Sequence, residues 1–166
     1  MILSITVLSL VTLQRLAELA LANRNTRALK ARGAFETGAG HYPLIVGLHA
    51  AWLGGLWWLA WDRPVNLAWL AAFVVLQLLR VWVIASLGRR WTTRIIVLPG
   101  ERLVRRGPYR FLKHPNYLIV VAEIAVLPLA FGLASYALLF SCLNAGMLWV
   151  RLRVESRALS QLRAAG

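Results

Sequence analysis

Five apolar stretches separated by arginine-rich segments dominate this 166-residue sequence and fix what it can become. A helix needs about 20 mostly apolar residues, with about 17 the practical minimum, to cross a hydrocarbon core of roughly 30 Å. The stretches cover about 2–22, 43–61, 65–87, 117–132 and 134–150. The last two divide one run, Tyr117 to Val150, that is too long for a single crossing. Its break belongs at Phe131-Gly132-Leu133-Ala134-Ser135, where glycine and serine are the turn formers. Pro128, just before it, is expected to kink the fourth helix. With 60% of residues apolar, against roughly 45–50% in soluble domains, the expected fold is an all-α integral membrane protein of one domain. It has five transmembrane helices, the last two a tight helical hairpin, a loop over 88–116 and a tail over 151–166.

Charge tests that count. Lys and Arg outnumber Asp and Glu by 19 to 6. With five crossings, the segments after spans 1, 3 and 5 share one side. They hold Arg24, Arg27, Lys30 and Arg32, then the basic residues from Arg89 to Lys113, then Arg151, Arg153, Arg157 and Arg163, whereas the other side has Arg63 alone. The positive-inside rule therefore places the loop and tail in the cytoplasm and the N-terminus outside, an inner-membrane placement if the source is bacterial. Trp57, Trp58, Trp61 and Trp69 cluster at the opposite interface as an aromatic belt. The first stretch reads as a span rather than a cleaved signal peptide, because no basic residue precedes its apolar core. The +13 net charge sits where topology alone would put it, and no nucleic-acid motif competes. A lone Cys142 excludes an internal disulfide and a multi-cysteine metal centre, and no metal is expected.

Each span also carries a polar residue about two helical turns in from its cytoplasmic end: Arg15, His49, Arg80, Glu123 and Asn144. At 1.5 Å rise per residue they form one layer roughly 9–10 Å deep. Ionisable groups within spans are costly and pair with one another inside the bundle. Glu123 is expected to pair with Arg80 or Arg15, with Glu18 helping to neutralise the layer. Arg15, His49 and Arg80 are candidate substrate-binding residues and Glu123 a candidate catalytic one. A purely structural reading has Arg15 and Arg80 snorkel to the headgroups while the others hold helices together.

The segment Gly88 to Asn116 exceeds the roughly 12–15 residues usual for an unstructured connection. Ile95-Ile96-Val97-Leu98 and Leu103-Val104 flank Pro99-Gly100-Glu101-Arg102, which reads as a short hairpin or turn. Then Gly107-Pro108-Tyr109-Arg110 leads to Lys113-His114-Pro115-Asn116-Tyr117 at the start of span 4. Proline disfavours helix at the residue before it, so His114 is expected at the N-terminal edge of that helix. In the tail, Arg151 and Glu155 stand four apart on one helix face.

These two stretches resemble the isoprenylcysteine carboxyl methyltransferase family of integral membrane enzymes. Its pattern is Gly-Pro-Tyr leading into Arg-His-Pro-x-Tyr, then a helical hairpin and Arg-(Ile/Leu)-x-x-Glu. The likeness is strong over Leu79 to Leu159, with Lys113 in place of the usual Arg and Ser156 where many members carry a second acid. The front half, including Arg15, Glu18, His41-Tyr42-Pro43 and His49, is similar to a bacterial branch that includes O-methyltransferases of long-chain alkylpyrones and alkylresorcinols.

The resemblance implies methyl transfer from S-adenosylmethionine at the cytoplasmic face. His114, Pro115, Tyr117 and Tyr109 would line the cofactor site, Glu155 would contact the cofactor's cationic amino-acid end or ribose, and Arg151 would face the acceptor oxygen. The implied partners are a lipid-like small molecule and the surrounding lipids, with no nucleic acid. Gly38-Ala39-Gly40 lies in a loop before a span, so a dinucleotide fingerprint fails its context. Membrane sterol and steroid reductases resemble the same region and bind NADPH there, but many have Gly-(Asp/Glu) two residues after the Tyr, where this chain has Leu118-Ile119-Val120-Val121. A non-enzymatic lipid-binding protein and a phospholipid N-methyltransferase also compete for the same sequence features.

Overall fold

A computed structural model describes residues 1–100 and 104–164, with side chains through Glu155. Glu101, Arg102 and Leu103 of the expected turn, and the side chains of Ser156, Arg157 and Arg163, lie outside the described residues. The chain is mostly helical: α1 (Ile2–Lys30), β1 (Phe35–Glu36), α2 (Tyr42–Ala60), α3 (Leu67–Leu87), β2 (Ile96–Val97), α4 (Pro115–Ala130) and α5 (Ala134–Ala164). By length and composition α1, α2, α3 and α5 can cross a membrane. The fourth apolar stretch yields α4, which starts at Pro115 and has 16 residues, just under the usual minimum for a span.

Helix ends follow local chemistry. Asn66 caps α3, its Oδ1 accepting from the backbone N–H groups of Ala68 and Trp69 at 3.0 and 3.3 Å. Pro115 opens α4, where a missing N–H costs nothing because first-turn donors have no intrahelical partner. Gly132, at φ +70°, closes it: its N–H bonds Leu129 O and the Leu133 N–H bonds Pro128 O, both at 3.0 Å. This left-handed cap satisfies the last carbonyls and turns the chain into α5. Pro128 sits in the last turn of α4, two residues before its end. α1 runs eight residues past Ala22, so Arg24, Arg27 and Lys30 of the first basic cluster are helical and only Arg32 lies in the turn that follows.

At the end of the bundle remote from 88–116, Leu8, Val11, Trp52, Leu56, Phe73, Leu127, Phe131 and Phe140 pack into one apolar core. Trp52 Nε1 donates to Ile124 O across α2 and α4 at 3.3 Å. Tyr136 on α5 donates to the carbonyls of Trp52 and Ala51 at 2.9 and 3.2 Å, passing over Gly55.

At the other end the long connection folds back on the bundle. The expected local hairpin across Pro99-Gly100 is not how β2 pairs. Ile96–Val97 lies antiparallel to Phe35–Glu36, with Phe35 opposite Val97 and Glu36 opposite Ile96. The reason is electrostatic as well as steric, since Glu36 takes Lys30 at 2.7 Å and Arg94 at 2.6 Å. Asn25 on the extended α1 donates to Trp91 O at 2.8 Å and Gly88 O at 3.2 Å. Arg106 Nε donates to Ser86 O at 2.8 Å. These ties hold Trp91 against α1, Arg94 against β1 and Arg106 against the end of α3.

Candidate functional site

His114 ends the loop in a non-helical backbone conformation, φ −132° and ψ 59°, and Tyr117 follows in the first turn of α4. Three residues on, the Tyr117 ring stacks on the imidazole, centroids 5.2 Å apart and planes within 10°. α5 brings up Arg151 and Glu155 on one face. The Tyr117 hydroxyl donates to Glu155 Oε2 at 2.6 Å and accepts from Arg151 Nε at 2.8 Å. His114 Nδ1 lies 3.9 Å from Glu155 Oε2. A second Arg151 nitrogen, Nη2, donates to Thr93 O at 2.9 Å, and the Thr93 hydroxyl meets Tyr42 Oη at 2.9 Å. The two sequence motifs thus meet, and the loop is woven between them. Burial and the nearby Glu155 charge push the Tyr109 hydroxyl up to about 12, so it stays protonated at neutral pH.

Two turns deeper, Arg15, Arg80 and Glu123 of the polar layer join Gln14, Glu18 and Gln77 in one connected network. Glu123 Oε1 accepts from Arg80 Nε and Gln77 Nε2, both at 2.8 Å. Its Oε2 accepts from Arg15 Nη2 at 3.0 Å and from Arg80 Nη2. Glu18 accepts from Arg15 Nη1 at 2.8 Å and Arg80 Nη1 at 3.3 Å, while Gln14 bridges Glu18 and Gln77. Both Arg15 and Arg80 therefore pair inward instead of snorkelling. Two guanidinium and two carboxylate groups balance, which is how ionic groups are tolerated away from water.

A cavity of about 300 Å³ joins the two levels. Tyr42, Thr93, Asn116, Tyr117 and Arg151 line its upper part, and Arg15, Glu18, His49, Arg80 and Asn144 its floor. Ile45, Val46, Val120, Met147 and Leu148 supply the walls between them, and Leu53 lines the cavity one turn of α2 beyond His49. Leu16 on α1 and Val46 on α2 line the cavity and are also exposed.

Of the candidates read from sequence, Arg15, His49, Arg80, Tyr117 and Arg151 line this cavity. His114 and Glu155 flank its upper end through Tyr117, and Pro115 is buried beneath as the first residue of α4. Glu123 differs: it is 2% exposed and lies behind Arg15 and Arg80 rather than on the wall. Both of its oxygens are engaged by Arg15, Arg80 and Gln77.

Trp91, Asn116, Thr93 and Tyr42 do not stand out as site residues in the sequence, because nothing in a loop sequence shows where its backbone will be pinned. Asn116 has a signal inside the His-Pro-x-Tyr motif and Tyr42 one inside His41-Tyr42-Pro43, whereas Trp91 and Thr93 have none. Among the described residues, Asn116 Oδ1 and Trp91 Nε1 are buried polar atoms without a hydrogen-bond partner, and both residues line the cavity. Buried polar atoms in folded chains are rarely left without a partner. A carboxylate beside stacked aromatic rings suits an organic cation.

Comparison with known proteins agrees with this geometry. The family model for isoprenylcysteine carboxyl methyltransferases matches residues 69–161, which span the loop, α4 and the Arg151–Glu155 segment. A Bacillus subtilis protein, uncharacterized YpbQ, is 38% identical over 159 residues, covering 93% of this chain and 95% of its own. An uncharacterized Haemophilus influenzae protein is 27% identical over 157 residues, covering 89% and 90%. No solved structure matches. The chain is a multi-pass membrane protein and belongs to the isoprenylcysteine carboxyl methyltransferase family.

Proposed function

We propose that the protein is an S-adenosylmethionine-dependent O-methyltransferase acting on a lipid-like acceptor at the cytoplasmic membrane face. The observation that carries this reading is the meeting of His114, Tyr117, Arg151 and Glu155 at the polar end of an apolar-walled cavity that reaches into the bundle. Bound there, S-adenosylmethionine supplies an activated methyl group on a cationic sulfur.

The residues present fit that group. Glu155 offers a carboxylate to its cationic amino-acid end, the His114 and Tyr117 rings offer flat faces to a sulfonium, and Asn116 Oδ1 and Trp91 Nε1 offer an unmatched acceptor and donor. Arg151 has its plane fixed by Tyr117 and Thr93, and its third nitrogen, Nη1, takes part in neither bond. Directed at the acceptor oxygen, it favours the ionised form by lowering its pKa. Protein chemistry beyond that is positional. The reacting atoms must be held in line about 3–3.5 Å apart in a site that excludes water. Glu123 serves as a positioning residue that fixes Arg15 and Arg80 in the cavity floor.

The acceptor enters from the lipid between α1 and α2, where Leu16 and Val46 both line the cavity and are exposed. Its class is a phenolic or enolic hydroxyl on an alkylpyrone or alkylresorcinol, favoured over a prenylcysteine-type carboxylate by the front-half resemblance. By the positive-inside rule the basic loops favour an outside N-terminus and a cytoplasmic site, on the side where this cofactor is found.

Calorimetry on the detergent-solubilised chain with S-adenosylhomocysteine and with NADPH tests the reading. Binding of the former alone is expected. Binding of NADPH alone would assign a reductase instead, and binding of neither would point to a lipid carrier.

A further inference from the structure

The cavity is polar at two levels and apolar between them, and the spacing of those levels is set by helix geometry. On α5, Arg151 lines the upper level and Asn144 the floor; on α2, Tyr42 lines the upper level and His49 the floor. Each pair is seven residues apart, close to two full turns, so both members face the same side at levels about 10 Å apart. Ile45 and Val46 on α2, Val120 on α4 and Leu148 on α5 occupy the interval.

The floor has a definite chemistry. His49 Nδ1 lies 2.9 Å from Ile45 O. A carbonyl oxygen only accepts, so the hydrogen is on Nδ1, and in the neutral ring Nε2 presents a lone pair. Asn144, 5% exposed, adds an amide able to donate and accept. The charges of Arg15 and Arg80 are already met by Glu18 and Glu123. An added carboxylate or ammonium would have no counter-charge there, whereas an uncharged group would need none. A ketone could not donate to Nε2. A hydroxyl both donates to His49 and accepts from Asn144.

Resting on the methyl-transfer reading for which molecule fills the cavity, we propose that the acceptor carries a second, uncharged hydroxyl about 10 Å from the oxygen that receives the methyl group, seated between His49 and Asn144. These two residues set specificity along the length of the acceptor, while Arg151 and Tyr117 act at its reacting end.

The test uses the full chain in lipid nanodiscs and three long-chain 4-alkylphenol probes. One is unsubstituted, one has a chain hydroxyl about 10 Å from the phenolic oxygen to match the two levels, and one has a carboxylate at the same place. Binding is read from tryptophan fluorescence, since Trp52 and Trp91 line the cavity. The hydroxylated probe is expected to bind about tenfold tighter than the plain one, the effect of one or two neutral hydrogen bonds, and the carboxylate more weakly than either. His49→Phe and Asn144→Leu each bring the hydroxyl preference down to about one, and His49→Gln, whose amide oxygen can accept, retains part of it. Equal affinities in the unaltered chain, tightest binding of the carboxylate, no binding of any probe, or an unchanged preference in both variants would overturn the proposal. Transfer of labelled methyl to the same probes is measured alongside. Selective binding without transfer counts against the methyltransferase reading, whereas transfer without hydroxyl preference counts against the second hydroxyl.

Discussion

Tyr117 and Glu155 come from segments 38 residues apart and share a 2.6 Å hydrogen bond, with Arg151 donating to the same phenol oxygen from the other side. One hydroxyl thus sets both the orientation of a carboxylate and the plane of a guanidinium. Tyr117→Phe keeps the ring that stacks on His114 but removes that link. A hydrogen bond to a charged group contributes about 1.5–3 kcal/mol, so S-adenosylhomocysteine affinity is expected to fall about tenfold or more in calorimetry, with the fold intact. An unchanged dissociation constant would show that the phenol does not organise the site.

The division of labour among its neighbours is open to a direct check. Glu155→Ala and His114→Ala are expected to weaken S-adenosylhomocysteine binding. Arg151→Ala should leave more of that binding and lose turnover about a hundredfold or more, as expected of a charged group that acts on the reacting oxygen. Equal losses of cofactor affinity in all three variants would erase the distinction.

Legibility in the sequence followed the range of the forces involved. Apolar runs and the placement of arginine report helices directly, and Gly132 marked the turn after α4 because its backbone adopts the left-handed conformation there. The pairing of Glu123 with Arg15 and Arg80 was readable from depth along each helix, since buried charges must find partners. Its place behind the wall was not, because depth gives no rotation about the helix axis. The pairing of β2 was hidden for a different reason. A local turn at Pro99-Gly100 suggested a hairpin, but Lys30 and Arg94 both converge on Glu36, a contact that spans 58 residues and leaves no periodic trace.

Glu123 offers a sharp test of whether the intramembrane network is structural. Removing one partner of a buried ion pair costs about 3–5 kcal/mol in water-soluble proteins, because the other charge is left without compensation. Glu123→Gln should therefore lower the thermal midpoint in detergent by several degrees. The double variant Glu123→Gln/Arg15→Gln, with charge balance restored, should recover a good part of it. If Glu123→Gln instead keeps its midpoint and abolishes turnover, the carboxylate takes part in the chemistry.

The strand tie has a pH signature. Burial alone raises the Glu36 carboxyl, but the bonds from Lys30 and Arg94 outweigh it and hold its pKa below the usual 4.5. An unfolded chain thus binds this proton more readily. The contribution of Glu36 is complete above about pH 4.5 and is lost as the pH falls through the depressed folded value. Hydrogen exchange over residues 95–97 should show protection that declines in acid for the unaltered chain. In Glu36→Gln it should already be weaker at neutral pH, with little further loss on acidification. Parallel curves for the two would mean that β1 and β2 are held by their backbone bonds alone.

Gly55 shows helix propensity set against packing. Alanine is favoured over glycine inside a helix by about 1 kcal/mol, so Gly55→Ala should stabilise α2 if nothing lay against it. A Cβ at this position, however, would run into the Tyr136 hydroxyl, which bonds the carbonyls of Ala51 and Trp52. The single substitution is therefore expected to lower the thermal midpoint. Tyr136→Phe removes the colliding oxygen together with its two bonds, and in that background Gly55→Ala should become neutral or stabilising. A cycle of these four proteins measures the coupling, and a zero interaction term would show that α2 and α5 are free to separate at this point.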